Sequence, residues 1–391
     1  MIKTERIERL QESLRGANIS GILLSNSRDV FYYTGTAQPS CLFVSPQDFL
    51  LFVRAGIDFA RKEVTLPQEK IREERSLEKI CQEVSARLEK TGIIGTELDL
   101  IPARNFLELR RILRGFEITD VSPMVLKQRG TKDLSEIAAI KKACAVLHKG
   151  HERVLTVLRK GITELELAAA VEDAHRLAGH EGVFFIRQLD FFMGRGPLSS
   201  GQNLYQNSGV VYTITGTGLS ASVPAGPSRR EIKKGDLVVV DIPVHVEGYH
   251  ADQTRTYVLG KATKEAGTLF SSLKEIADHL IGSIKPGMRC SDVYQMALSL
   301  AEKLGVGKQF MNFGEGQKSK IIGHGIGIEL NEPPILSALE RLEIPENCVI
   351  ALDMHLMDEK HGVVKLEDII LSGERKNELL TITPRELFEI E

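Results

Sequence analysis

The sequence predicts an α+β protein: a smaller α/β domain over residues 1–125, a linker at 126–132, and a larger domain over 133–391 built from two related helix-helix-sheet halves. Three observations carry this expectation. Short apolar runs alternate with amphipathic helical patterns through the first part of the chain. A stretch at 120–132 then carries Ser122, Pro123 and Gly130 with no clear period, as a connection would. Beyond it one helical pattern occurs twice, with its bounding glycines at the same spacing. A chain of 391 residues has room for two domains of roughly 100 to 200 residues each.

The first domain opens on a helical stripe, Ile7, Leu10 and Leu14, that leads into the apolar run at 21–25. The runs CLFV and FLLFV flank a Ser-Pro-Gln-Asp turn and read as a hairpin. A helix near 76–91, the strand GIIG and a helix near 102–114 complete the alternation. In the second domain KGITELELAAAVEDAHRLAG ends on Gly179, and Thr163 and Glu166 have the spacing of a capping box. Its echo is PGMRCSDVYQMALSLAEKLG, where Gly287 and Gly305 repeat the interval between Gly161 and Gly179. Each copy follows another amphipathic helix, one starting near Asp133 and one near Lys264.

Composition excludes several classes of function. Apolar residues make up 42% and charged residues 26%, the balance of an ordinary globular chain rather than a disordered or fibrous one. The 50 Lys and Arg against 53 Asp and Glu leave a net charge of −3, with no basic block, so nucleic acid is not an expected partner. The five cysteines are scattered and lack CxxC spacing, which indicates neither a disulfide framework nor a thiolate zinc site and fits a reducing compartment. The start is charged from Lys3 onward and no run reaches about 18 apolar residues, so no membrane partner and a cytoplasmic location are expected.

The chemistry lies in four acids. LVVVDIPV holds Asp241, and after the Glu247-Gly248 turn comes Asp252; CVIALDMHL holds Asp353, and after His361-Gly362 comes Glu367. Midpoint arithmetic on two regular hairpins places Asp241 opposite Asp252 and Asp353 opposite Glu367. A lone acid on a strand is commonly just an exposed polar residue, but four converging in apolar strands repel one another and cost several kcal/mol each to bury unpaired. Divalent cations bound by oxygen, with a neutral imidazole, answer that repulsion. His324, set between glycines in IIGHGIGIELNEPP, offers the imidazole. Such a set of five ligands has room for two ions about 3.5–4 Å apart and points to metal-assisted hydrolysis.

The series Asp241, GYHADQTRTY with Asp252, GHGIG with His324, Asp353, and GVVKLED with Glu367 resembles the ligand series of the pita-bread metallopeptidases, the family of prolidase, aminopeptidase P, methionine aminopeptidase and creatinase. SNSRDVFYYTG near the start is similar to the creatinase-type N-terminal domain, so the likeness covers nearly the whole chain. It implies a C-terminal pita-bread domain, one or two divalent ions (manganese first, with zinc, cobalt or iron as alternatives), metal ligands Asp241, Asp252, His324, Asp353 and Glu367, and a homodimer. The chain departs from the family at three positions. The family has Glu where Asp353 stands; a substrate-contacting His falls on Asn331; and an earlier His falls on Ala225. Asn331 can donate a hydrogen bond but cannot shuttle a proton. His355, two residues beyond Asp353 on the same strand face, is a candidate replacement imidazole, set against the plainer reading of a packed strand-end histidine. His245 and His250 have a weaker case.

The leading expectation is a metal-dependent hydrolase of the Xaa-Pro dipeptidase or aminopeptidase P type. In it a metal-bound hydroxide attacks an amide carbonyl, Asp353 accepts the proton, Asn331 orients the substrate and His355 assists. The substrate would be a small peptide or small-molecule amide. The alternatives are a relative repurposed, as creatinase is, for a non-peptide C–N bond, and a non-catalytic binding protein on the same fold.

Overall fold

In the computed structural model, which describes residues 2–89, 91–188, 196–208, 213–314 and 317–391, the chain divides into units Met1–Arg129 and Gly130–Glu391. The first is a sheet of order β4-β3-β2-β1-β5-β6 with helices between its strands. Helix α1 (Ile2–Ala17) buries Ile7, Leu10 and Leu14. Strand β1 (Gly21–Leu24) follows, then α2 (Ser27–Thr34), whose cap Asn26 accepts from the amides of Arg28 and Asp29. The hairpin β2 (Ser40–Val44) and β3 (Phe49–Val53) is antiparallel as expected. Helix α3 (Ile57–Glu63), β4 (Ile71–Glu73), α4 (Leu77–Arg87), β5 (Gly92–Thr96), α5 (Ala103–Ile112) and β6 (Phe116–Asp120) complete the alternation.

The expected linker is largely helix: α6 spans Ser122–Gly130. The Asp120 carboxylate accepts from the Ser122 amide at 3.0 Å, and Pro123 sits in the first turn, where its missing N–H costs nothing. These same residues, Ser122, Pro123 and Gly130, had suggested a connection because helix caps and loops draw on one vocabulary.

The second unit is built twice. Helices α7 (Leu134–Val157) and α8 (Glu164–Leu177) both start on full capping boxes, Asp133 with Glu136 and Thr163 with Glu166. They pack Val154, Leu167 and Val171 against Val238, Val240 and Tyr257. That sheet has order β17-β11-β8-β7, from β7 (Leu198–Ser200) and β8 (Leu237–Asp241) through a ribbon of β9 (Val244–Val246) and β10 (Tyr249–Ala251) to β11 (Thr254–Leu259). Helices α9 (Lys264–Ser283) and α10 (Cys290–Lys303) begin the second half, placing Leu273, Ile276 and Val293 against Ile350, Leu352 and Leu366. Its sheet has order β13-β12-β14-β15-β16, from β12 (Ile321–Gly325), β13 (Glu332–Ser337), β14 (Val349–Asp358), β15 (Gly362–Leu371) and β16 (Glu378–Leu379); β17 (Phe388–Ile390) returns to the first sheet. No helix among the described residues is long and apolar enough to cross a membrane.

Side chains of β11 join the two sheets. The Thr256 hydroxyl donates to the Lys365 carbonyl at 2.7 Å and accepts the Lys365 amide at 2.9 Å, so β15 is fastened through one residue. Arg255 donates to the carbonyls of Glu367, Thr383 and Pro384 at 2.7, 2.9 and 2.9 Å.

The two hairpins meet the sequence expectation differently. Asp353 stands opposite Glu367, as expected. Asp241 does not face Asp252; it faces Thr254. Both Glu247 and Gly248 have positive φ, 50° and 83°, and form the two-residue turn themselves, with Val246 opposite Tyr249. Placing both residues inside the turn moves every pairing by two positions. A two-residue shift preserves the strand face, so Asp252 stays on the side of Asp241, in the break between β10 and β11.

Candidate metal centre

The pleat of the two central hairpins sets the acids on converging faces. Asp241 ends β8, is 3% exposed, and accepts from Lys365 Nζ and from Thr213 Oγ1 at 3.2 Å. Asp252 accepts the Gln253 amide at 2.9 Å. Glu367 on β15 is 1% exposed; its Oε2 accepts from Thr254 Oγ1 at 2.9 Å, and its buried Oε1 has no hydrogen-bond partner. Asp353, with 15% of its side chain exposed, is the most open of the four.

His324 on β12 points Nδ1 at the Gly325 carbonyl at 3.0 Å. A carbonyl only accepts, so the proton is assigned to Nδ1 and the lone pair to Nε2, which lies 4.0 Å from Glu367. The glycines beside it are required: a Cβ at Gly323 would come within 2.4 Å of the Ala351 carbonyl oxygen, and one at Gly325 within 2.6 Å of the Pro333 oxygen. Asp252, His324 and Glu367 each present a ligand atom, and these atoms all lie within 4.8 Å of one another. An unsatisfied carboxylate oxygen beside a neutral imidazole and a second carboxylate is a donor set that suits a borderline divalent cation.

The protonation tendencies agree. Burial raises the Asp252 and Glu367 carboxyls well above the usual range, Asp241 adding to the first and Asp252 to the second. Burial also raises Asp241, against the pull of the Lys365 charge. Burial lowers His324 and so favours the neutral ring.

The sequence reading overlooked Lys365. Burial would depress its ammonium, but Asp241, Asp353 and Glu367 raise it above the ordinary lysine range. Its Nζ bonds Asp241 Oδ2 and Thr213 Oγ1, approaches Asp353 Oδ1 at 3.0 Å without hydrogen-bond alignment, and lies 3.7 Å from Glu367 Oε2. The signal was available: Lys365 lies two residues before Glu367 and so shares its strand face.

His355, His245 and His250 are not among these converging ligand atoms. His355 directs Nε2 to the Asn312 carbonyl at 2.8 Å, packs on Phe313, and is pushed down by burial to a pKa of about 4. Asn331 is half-buried in the bend between β12 and β13, with no hydrogen bond to the acids among the described residues. His245 and His250 face each other across the β9–β10 ribbon; His245 pairs with Glu181 at 2.7 Å, and His250 accepts the Phe185 amide at 3.0 Å.

Residues 138–374 match the profile described as metallopeptidase family M24, and residues 6–130 that of the creatinase/prolidase N-terminal domain. The Xaa-Pro dipeptidase of Pyrococcus furiosus is 26% identical over 387 residues, 98% of this chain and 99% of that one. The Xaa-Pro dipeptidase of Pyrococcus horikoshii is 26% identical over 391 residues, 99% of each. In fold, the chain is similar to the Xaa-Pro dipeptidase from Bacillus anthracis, with a TM-score of 0.83 at 22% identity, covering 99% of this chain and 100% of that one. The X-Pro aminopeptidase from Thermotoga maritima gives a TM-score of 0.79 at 23% identity, covering 98% and 99%.

Proposed function

The chain belongs to metallopeptidase family M24, with the pita-bread fold, and from that premise we propose that it is a metal-dependent dipeptidase acting on the bond before proline in small peptides. The convergence of Asp252, His324 and Glu367 carries this reading. A divalent ion held by those side chains, manganese first and zinc, cobalt or iron as alternatives, supplies Lewis acidity toward a carbonyl and lowers the pKa of water toward neutrality.

The protein's own groups divide the remaining work. His324 is held in the ligating tautomer by the Gly325 carbonyl. Asp353, the most open carboxylate and so the one a water reaches, takes the proton of the attacking water and returns it to the leaving amine. Asn331 donates from its amide to the substrate carbonyl. His355, committed to Asn312, supports the strand beneath Asp353 rather than carrying a proton. Asp241 and Lys365 hold the electrostatic floor of the site.

The test is a panel of Xaa-Pro dipeptides against the same dipeptides with Ala replacing Pro, using manganese-reconstituted protein. Hydrolysis that prefers proline, stops on chelation and returns with manganese is expected. Loaded protein that cleaves no dipeptide would overturn the reading and favour a non-peptide C–N substrate, which the absence of imidazole at Asn331 and Ala225 supports. We also place the protein in the cytoplasm as a homodimer, since its cysteines are free and buried and the family resemblance implies pairing; sedimentation at working concentration checks the second point.

A further inference from the structure

We propose that the Lys365 ammonium takes the place of a second metal ion, so that the centre holds one divalent cation per chain; this rests on the metal-binding reading above. The five candidate ligands are already divided. Asp241 and Asp353 contact Nζ, Asp252 and His324 do not, and Glu367 stands between the two groups, one oxygen 3.7 Å from Nζ and the other without a partner. The ligand atoms that converge within 4.8 Å of one another are those of Asp252, His324 and Glu367.

A metal ion bound by Asp241 and Asp353 would need their oxygens at roughly 2.0–2.6 Å, depending on the ion. Those oxygens face a positive charge that cannot diffuse away. Lys365 is fully buried, and Thr256 fastens both its amide and its carbonyl, so the stem emerges from a fixed backbone point. A divalent ion placed there would meet the ammonium at short range inside a poorly screened site, where like charges repel strongly. The 3.7 Å between Nζ and Glu367 Oε2 lets one carboxylate serve the ammonium and the metal ion together. The short side chain of Asp353 fits the same arrangement: an ammonium accepts a longer contact, here 3.0 Å, than a metal–oxygen bond.

The experiment measures metal equivalents after manganese loading and desalting, together with the manganese spin-resonance spectrum. One equivalent with the spectrum of an isolated ion is expected for the wild type. For Lys365→Met, which removes the charge and keeps an unbranched stem, two equivalents with spin-coupled ions are expected. Two equivalents in the wild type, or a folded Lys365→Met that still binds one, would overturn the proposal and leave the metal reading standing. No metal in the wild type would remove the metal reading itself, and the proposal with it. If Lys365→Met does not fold, Asp241→Asn decides: one equivalent retained with affinity within about twofold supports the lysine as the partner of Asp241, and loss of the metal shows Asp241 to be a ligand.

Discussion

Glu367 and Asp368 are neighbours on β15, equally buried, and they point to opposite faces of the strand. Asp368 is saturated: it accepts from Arg255 at 2.6 Å, from Thr381 at 2.7 Å and from Arg385 at 2.6 Å. Glu367 has one oxygen on Thr254 and the other on nothing, in a cluster of four carboxylates of which three gather round one ammonium. The contrast teaches that a buried acid is not itself a sign of chemistry. Two guanidiniums turn the first into architecture, and the shortage of positive charge turns the second into a place for a cation.

The contrast breaks most sharply under paired substitutions. Glu367→Gln should weaken metal binding and dipeptide hydrolysis by more than about 100-fold, exceeding the loss usual for a residue one step removed from a metal. Asp368→Asn should leave metal equivalents per folded chain unchanged and destabilise the protein by about 3–5 kcal/mol, because two cations lose their buried partner. Elemental analysis and urea unfolding of both variants test this. Metal loss in Asp368→Asn, or collapse of stability in metal-free Glu367→Gln, would erase the distinction.

A smaller effect sharpens it. Asp252→Asn should lower metal loading yet raise the melting temperature of the metal-free protein, since a carboxyl whose charged form is disfavoured by burial and by Asp241 is replaced by a neutral amide. Each kcal/mol relieved would appear as about 2–4 °C. A metal-free variant that melts below the metal-free wild type would show that these acids do not repel.

The smallest expected effect is a pH slope. The folded-state pKa of His355 is depressed from 6.5 to about 4, so its neutral ring stabilises the fold above pH 6.5, and that contribution fades as pH falls toward 4. The stability advantage of wild type over His355→Gln should therefore shrink across that window in thermal melts. An advantage that grows on acidification would mean that the ring is charged in the fold.

Much of this was legible in the sequence because strand geometry has a period of two. Asp353 and Glu367 were placed opposite one another by counting from a turn, and the shared faces followed. Asp241 and Asp252 were placed two residues out of register, since the count depended on which residues made the turn, and Glu247 adopts a positive φ that its side chain does not advertise. Lys365 escaped because lysine is ordinarily a solvent residue, and only the fold gathers three acids around it. The helix at Ser122–Gly130 escaped because a capping acid and a first-turn proline also mark loops. The commitment of His355 to the Asn312 carbonyl is a long-range contact that no local pattern reveals.

Arg255 reaches the segment at Thr383 and Pro384 through main-chain oxygens alone. Any amino acid supplies a carbonyl, so for Arg255 the identity of these two residues is immaterial, although Thr383 is also buried with its hydroxyl 3.1 Å from His148 Nδ1. What this segment should not tolerate is a change of length: one residue inserted or removed between β16 and β17 would turn the oxygens away and leave a buried guanidinium without two of its five acceptors. Across relatives that keep this arginine, the tail should therefore keep its count along with the side chains at Thr381 and Arg385 that reach Asp368, and its constraint would be visible as missing gaps beside those shared residues.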